Sequence, residues 1–501
     1  MIEQFKAAKK AAVPILAIES FDPQQTIRNV AKAANGNTPL LSWDLVKGLN
    51  PLNQEAVPIA TDINAGEDPQ IATGNPTEML SKITRLPANV LVFMHNAPRY
   101  FSEAGVIQGI WNLRDVFKAK GTMLILLGTT FMLPEELKQD VMVISEPLPD
   151  YAEIETIIKS ITADAGMKEV EEMDKVGDTL VGLSAFAAEQ TLATCIEKVK
   201  GKVSINRKAL WERKCKAIEQ SDGLSVYRGK ESFSDIGGYD NVKDYILGIL
   251  KGRSPARSIV FVDEIEKQFA GIAGDNTGVS QDQLGALLTF MQDNEIMGMI
   301  FIGPPGCTKS MLAKAAGNEA EVPTVIFDIG AMKDSKVGES GRKIRQNLKI
   351  IQAISQGKAM FIATCNSIAI LPPELRRRFT LGTFFFDLPT QEERSIIWDL
   401  YFKKYEIPEE QRDKVDDSDW TGAEIKNCCH IAWMRNCKIS EAAGFVVPVA
   451  KSAFDQISAL RKQASGKYIS AGTPGFYQFK MTSELHDMYR AIDVSEKEVK
   501  Q

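Results

Sequence analysis

The chain has 501 residues, too many for one ordinary core, so two or three domains are expected. Hydrophobic residues make up 44% and charged residues 25%, as in soluble globular proteins, and no apolar run approaches the roughly 20 residues of a membrane span. A formal net charge of -6 argues against a surface coated with nucleic acid but says nothing of a local basic pore. Met1 to Lys10 is amphipathic and mixed in charge, unlike a secretion signal, so a cytoplasmic setting and no membrane contact are expected. Seven cysteines without a CxxC pair suit a reduced compartment, and the consecutive Cys428, Cys429 and His430 would point in different directions on a helix rather than converge on a metal.

In chain order, residues 1–150 read as an α/β domain without a phosphate loop. Val13 to Ile18, Val90 to Met94 and Met123 to Leu127 are strands with the continuous apolar character of buried parallel sheet, and Pro23 to Ala34 and Val106 to Lys118 are helices. Residues 151–222 turn helical, with charged residues between apolar ones. A second α/β block covers 223–390, helical patterning returns over 391–465 as a lid, and 466–501 is a docked tail with a charged, frayed end. A weak repeat links the two halves: Leu133-Pro-Glu-Glu-Leu137 and Leu371-Pro-Pro-Glu-Leu375 each follow an apolar strand, and each precedes a Leu-Pro pair. Two copies of one module is the economical explanation, against an unrelated domain with a chance match. The first copy carries His95-Asn96 and Glu19-Ser-Phe-Asp22 where the second carries chemistry, so it is expected to be catalytically dead.

Ile300-Phe-Ile302 runs into Gly303, Pro304, Pro305, Gly306, Cys307, Thr308, Lys309 and Ser310, and an amphipathic helix follows from Met311. Glycines let backbone N–H groups face phosphate, the helix N-terminus adds positive potential, the lysine reaches the terminal phosphates of ATP and Ser310 ligates Mg2+. Ile259 to Val262 followed by Asp263 and Glu264 puts two carboxylates at a strand end, Asp263 to hold the hydrated metal and Glu264 to polarise water. Met360 to Ala363 leads to Asn366, either a turn residue or a group that positions that water. Arg376, Arg377 and Arg378 end a helix, where they either complement its dipole or offer an arginine to a neighbouring subunit's γ-phosphate.

Together these residues resemble the AAA+ superfamily, in the AAA clade. Asp235-Ile236-Gly237-Gly238 looks like the adenine-side entry motif, Val337-Gly-Glu-Ser340 like the segment after the first pore loop, and Thr421-Gly422-Ala423-Glu424 like the lid motif beside the nucleotide. Across nearly the whole chain the pattern is most similar to the cyanobacterial and chloroplast AAA family with a degenerate first module. The resemblance implies an α/β fold of two tandem phosphate-loop-type modules with parallel sheets and helical lids, ATP and Mg2+ as ligands, and a homo-hexameric ring with ATP at subunit boundaries. One departure concerns order. Asp263-Glu264 lies about forty residues before Lys309, whereas the family places the phosphate loop first, so the second module reads as circularly permuted but complete.

Another departure bears on substrate. Lys336, with Lys333 nearby, stands where the family commonly holds an aromatic for gripping polypeptide. A ring of such lysines would attract phosphate, which narrowly favours DNA or another nucleic acid moving through the pore. A solvated loop lysine is the plain alternative, and a polypeptide motor or a nucleotide-switched scaffold are the competing functions.

Overall fold

The computed structural model describes residues 1–34, 36–167, 170–199, 202–269, 279–332, 339–367 and 371–479. It divides into two compact units, Met1–Ala217 and Ile218–Gln501.

The first unit is built on six strands: β1 (Ile15–Glu19), β2 (Leu40–Asp44), β3 (Gly48–Pro51), β4 (Leu91–Met94), β5 (Met123–Gly128) and β6 (Met142–Ser145), in the order β3-β2-β4-β5-β1-β6. All pairs are parallel except the β2–β3 hairpin. Alternation along β1 explains the layers. Ile15 and Ala17 face a core containing Trp43 and Phe117, while Leu16 and Ile18 face one containing Phe5, Ile27 and Phe93. With both faces covered, β4 and β5 are buried at every position, which is why they read as unbroken apolar runs.

The hairpin was not expected. Its Trp43 donates an indole hydrogen bond to the Thr73 carbonyl at 2.6 Å, a contact remote in sequence that fixes an otherwise unremarkable segment. The helical part of this unit, including Tyr151–Asp164 and Ala185–Ala193, also holds an antiparallel pair, β7 (Ile196–Val199) and β8 (Lys202–Ile205), hidden in sequence by its lysines. Lys214 is fully buried there, its Nζ 3.0 Å from the Asp178 carbonyl, and burial pushes its pKa down to about 8.

The second unit holds seven strands: β9 (Leu224–Val226), β10 (Ser258–Val262), β11 (Met297–Ile302), β12 (Thr324–Phe327), β13 (Ala359–Cys365), β14 (Thr383–Phe385) and β15 (Ile469–Ser470). Their order is β15-β14-β11-β13-β10-β12-β9, parallel except for β9. Helices from Gln391–Lys404 to Ile439–Ala443, in the stretch expected to be a lid, pack around Trp420, Ile425, Cys428 and Cys429. The chain then returns to the sheet edge. Ala471 N–H donates to the Phe385 carbonyl at 3.0 Å, and Asp387 receives Arg461 Nε at 2.7 Å and the Tyr477 hydroxyl at 2.6 Å.

The two sheets share one spatial order with different chain orders. From one edge, the first runs β2-β4-β5-β1-β6 and the second β12-β10-β13-β11-β14. In the first the strand in the second place follows the strand in the fourth; in the second, β10 precedes β11.

Candidate functional site

Residues 303–308 curl between β11 and the helix Lys309–Glu319. Gly303 passes so close to the end of β14 that a Cβ there would stand 2.1 Å from the Phe386 carbonyl oxygen, which only glycine permits. Thr308 takes a left-handed φ of 54°, a conformation costing a residue with a Cβ about 1–2 kcal/mol. Its hydroxyl is buried without a hydrogen bond, and no side chain caps the helix that follows. The leading N–H groups of that helix are thus left for a ligand.

Lys309 is only 6% exposed and donates to the Gly303 and Pro304 carbonyls, each at 2.7 Å. Burial lowers its pKa. A buried ammonium resting on two neutral carbonyls is poised for an anion.

β13 lies between β11 and β10, and this spacing brings the acidic strand end to the loop despite its place in the chain. Asp263 Oδ1 receives the Ser310 hydroxyl at 2.8 Å and the Thr364 hydroxyl at 2.6 Å. Glu264, at a left-handed φ of 44°, receives Lys267 Nζ on both oxygens at 2.8 Å and Asn366 Nδ2 on Oε1 at 3.2 Å. These groups line a cleft of about 330 Å3 together with Pro305, Gly306, Cys307, Thr308 and Met311. Cys307 itself is buried, which raises its thiol pKa to about 12.

Ala423, Tyr401 and Lys426 of the lid close the cleft. A Cβ on Gly422 would lie 3.4 Å from Thr308, and one on Gly306 would lie 2.7 Å from the Thr421 hydroxyl, so the lid helix starts against the loop. Ile236 is buried and Gly237 abuts Ile397 of the lid; neither lines the cleft. Arg377 is exposed, and Arg378 donates to Gln292 Oε1 at 2.6 Å; both stand outside the cleft of their own chain. Lys333 and Lys336, with Val337 and Gly338, lie outside the described residues. Sequence reading missed Thr364, Tyr401 and Lys426, since a strand threonine and two lid residues carry no local signature.

The donor set fits Mg-ATP. Ser310 and Asp263 oxygens already meet, as ligands of one hard cation would, and the lysine and free helix N–H groups suit a polyphosphate.

Residues 1–145 match the family described as the N-terminal domain of SpoVK-like AAA ATPases, and residues 299–356 match the ATPase family associated with various cellular activities (AAA). The chain is an AAA-type ATP hydrolase. It is similar to the AAA domain-containing protein ycf46 of Guillardia theta, at 22% identity over 93% of this chain and 95% of that protein. The ycf46 protein of Gracilaria tenuistipitata var. liui is 25% identical over 67% of this ATPase and 71% of its own length. A shorter stretch, 19% of the ATPase, is 28% identical to 21% of the ATP-dependent zinc metalloprotease FtsH 3 of Sphaerobacter thermophilus.

Proposed function

We propose that this ATPase hydrolyses Mg-ATP in the cleft between β11 and β10 and couples the reaction to movement or remodelling of a macromolecule. The observation that carries the reading is the convergence of Lys309, Ser310, Asp263, Glu264 and Asn366, drawn from three strand ends, on one cleft. Lys309 leaves its two carbonyls for the β- and γ-phosphates. Ser310 and Asp263 would hold Mg2+, which would supply charge neutralisation at the phosphate oxygens. Glu264 accepts a proton from the attacking water, and Asn366 orients that water from the next strand. Departure of the γ-phosphate leaves ADP on the loop.

The second module is then a transposed version of the first, with one strand and helix moved ahead of the phosphate-loop strand. Equal spatial order in the two sheets supports this. Arg378 and Arg377, which do not line their own cleft, act on ATP of a neighbouring copy in a homo-hexameric ring.

Two substrate readings each have an observation behind them. Lys336 and Lys333 favour nucleic acid. The stretch shared with a protein named as an ATP-dependent metalloprotease favours polypeptide. The ATPase rate measured with single-stranded DNA, RNA, duplex and unfolded protein separates them. Acceleration by DNA that is weakened in Lys336→Ala supports the first, acceleration by unfolded protein alone supports the second, and no response to any of them removes the coupling.

A further inference from the structure

The turn that follows the acidic strand does more than end it. Residues Ile265–Gln268 form one helical turn, and Glu266, inside it, is 4% exposed. A glutamate four residues beyond a strand end would ordinarily face water. Here it folds inward, and Oε1 accepts the main-chain N–H of Asn366 at 2.8 Å, while Oε2 is buried without a hydrogen bond. Gln268 completes the turn by donating to the Asp263 carbonyl at 2.7 Å and accepting from Ile329 N–H at 3.1 Å.

Burying a carboxylate beside one main-chain N–H, the Cys365 thiol and the Lys309 charge costs free energy that an apolar residue would avoid. The first module shows the alternative. His95-Asn96 ends β4 as Asp263-Glu264 ends β10, and Asn96 has a left-handed φ of 52° where Glu264 has 44°. In the same register Ala97 matches the buried Ile265, and Pro98 stands at the position of Glu266. Pro98 packs on Gly128 at the end of β5, where a Cβ would come within 2.7 Å of its ring. The module without a phosphate loop therefore fills this position with an apolar contact, and the module with one uses a carboxylate.

We infer that Glu266 is a positioning residue for hydrolysis: by fixing the main chain of Asn366 it holds that amide against Glu264 and the attacking water. The inference rests on the nucleotide-site reading above. The chain of contacts is Glu266 Oε1 to Asn366 N at 2.8 Å, then Asn366 Nδ2 to Glu264 Oε1 at 3.2 Å. Glu266 does not line the cleft, so it acts on turnover rather than on ATP affinity.

The experiment compares Glu266→Ala and Glu266→Gln with the full-length chain for ATP affinity, KM and kcat. Glutamine keeps an acceptor oxygen for the Asn366 N–H; alanine does not. Glu266→Ala is expected to lower kcat at least tenfold with KM and ATP affinity within twofold, and Glu266→Gln to recover most of the rate. A kcat within twofold of the parent in Glu266→Ala overturns the inference, as does a Gln variant as slow as the Ala variant, or a loss carried by KM alone. Lys309→Ala serves as the control for the underlying reading. If it binds ATP like the parent, the nucleotide site itself is misplaced, whatever the Glu266 variants do.

Discussion

The two α/β modules have the same strand order and opposite chemistry at the same place. In the first, the helix after β1 is capped by its own Asp22, whose carboxylate accepts Gln25 N–H at 3.1 Å, and Glu146 beside it takes Asn29 Nδ2 at 3.0 Å. One leading N–H is taken by Asp22, Pro23 has none to offer, and the carboxylates of Asp22 and Glu146 stand where a phosphate would bind. In the second, the helix after β11 has no side-chain cap and begins with a buried lysine. A fold of this kind offers a ligand position wherever a strand leads into a helix, and what decides binding is whether the chain satisfies that helix end itself. The comparison also shows that chain order is secondary. β10 reaches the site from before β11 as well as a following strand would, because the sheet fixes neighbours in space.

The largest expected effect falls on a residue outside its own cleft. Arg378→Ala should bind ATP yet lose about 10³-fold or more in hydrolysis, the scale of an arginine acting in trans. Mixing it with Lys309→Ala chains should restore part of the rate, and no recovery at any ratio would place Arg378 elsewhere in the mechanism. Glu264→Gln should lower turnover by about 10²-fold or more while ATP affinity holds, as expected for loss of a general base. Steady-state rates beside equilibrium binding separate the two effects.

Among the described residues each unit buries one lysine, and only Lys309 lines a cleft. Lys214 meets the Asp178 carbonyl and the face of Trp211, and burial holds its pKa at about 8, below the ordinary 10.5. A depressed lysine pKa means that the unfolded chain binds more protons between those values, so its contribution to stability rises with pH from about 8 to about 10.5. Below pH 8 the cost is full, about 3 kcal/mol. Lys214→Met should therefore stabilise the first unit at pH 7, with a gain that shrinks toward pH 10.5; denaturant unfolding across that range measures it. The smallest effect is expected where the comparison is pushed hardest. Installing the acidic pair in the first module, as His95→Asp with Asn96→Glu, should leave the ATPase rate within twofold, because Asp22 still caps the helix. A second hydrolysis activity that survives Lys309→Ala would break the comparison.

The parts of this account that were legible in sequence are local. Gly303 to Ser310 and the apolar run before Asp263 carry their chemistry in consecutive residues, and β1, β4, β5, β10, β11 and β13 are buried on both faces and so announce themselves as apolar runs. What was illegible depends on partners distant in the chain. β2 and β3 are held by Trp43 reaching Thr73, and β7 and β8 are four-residue strands with only two apolar residues each in a stretch that otherwise reads as helix. Glu266 carries no local signature, because nothing in the sequence brings it to the main chain of Asn366. Tyr401 and Lys426 enter the cleft only because the lid folds back over the loop. Ile236 and Gly237 are read from sequence as nucleotide contacts; in the structure Ile236 is buried and Gly237 lies against Ile397, outside the residues that line the cleft.

One cleft per chain, completed by a strand that precedes the phosphate loop, is expected to bind nucleotide. Calorimetric titration of a slowly hydrolysed Mg-ATP analogue into the parent chain and into Lys309→Ala tests it most directly. The account predicts one site per chain in the parent and at least a hundredfold weaker binding in Lys309→Ala. Two sites per chain, or a Lys309→Ala chain that binds like the parent, would contradict it.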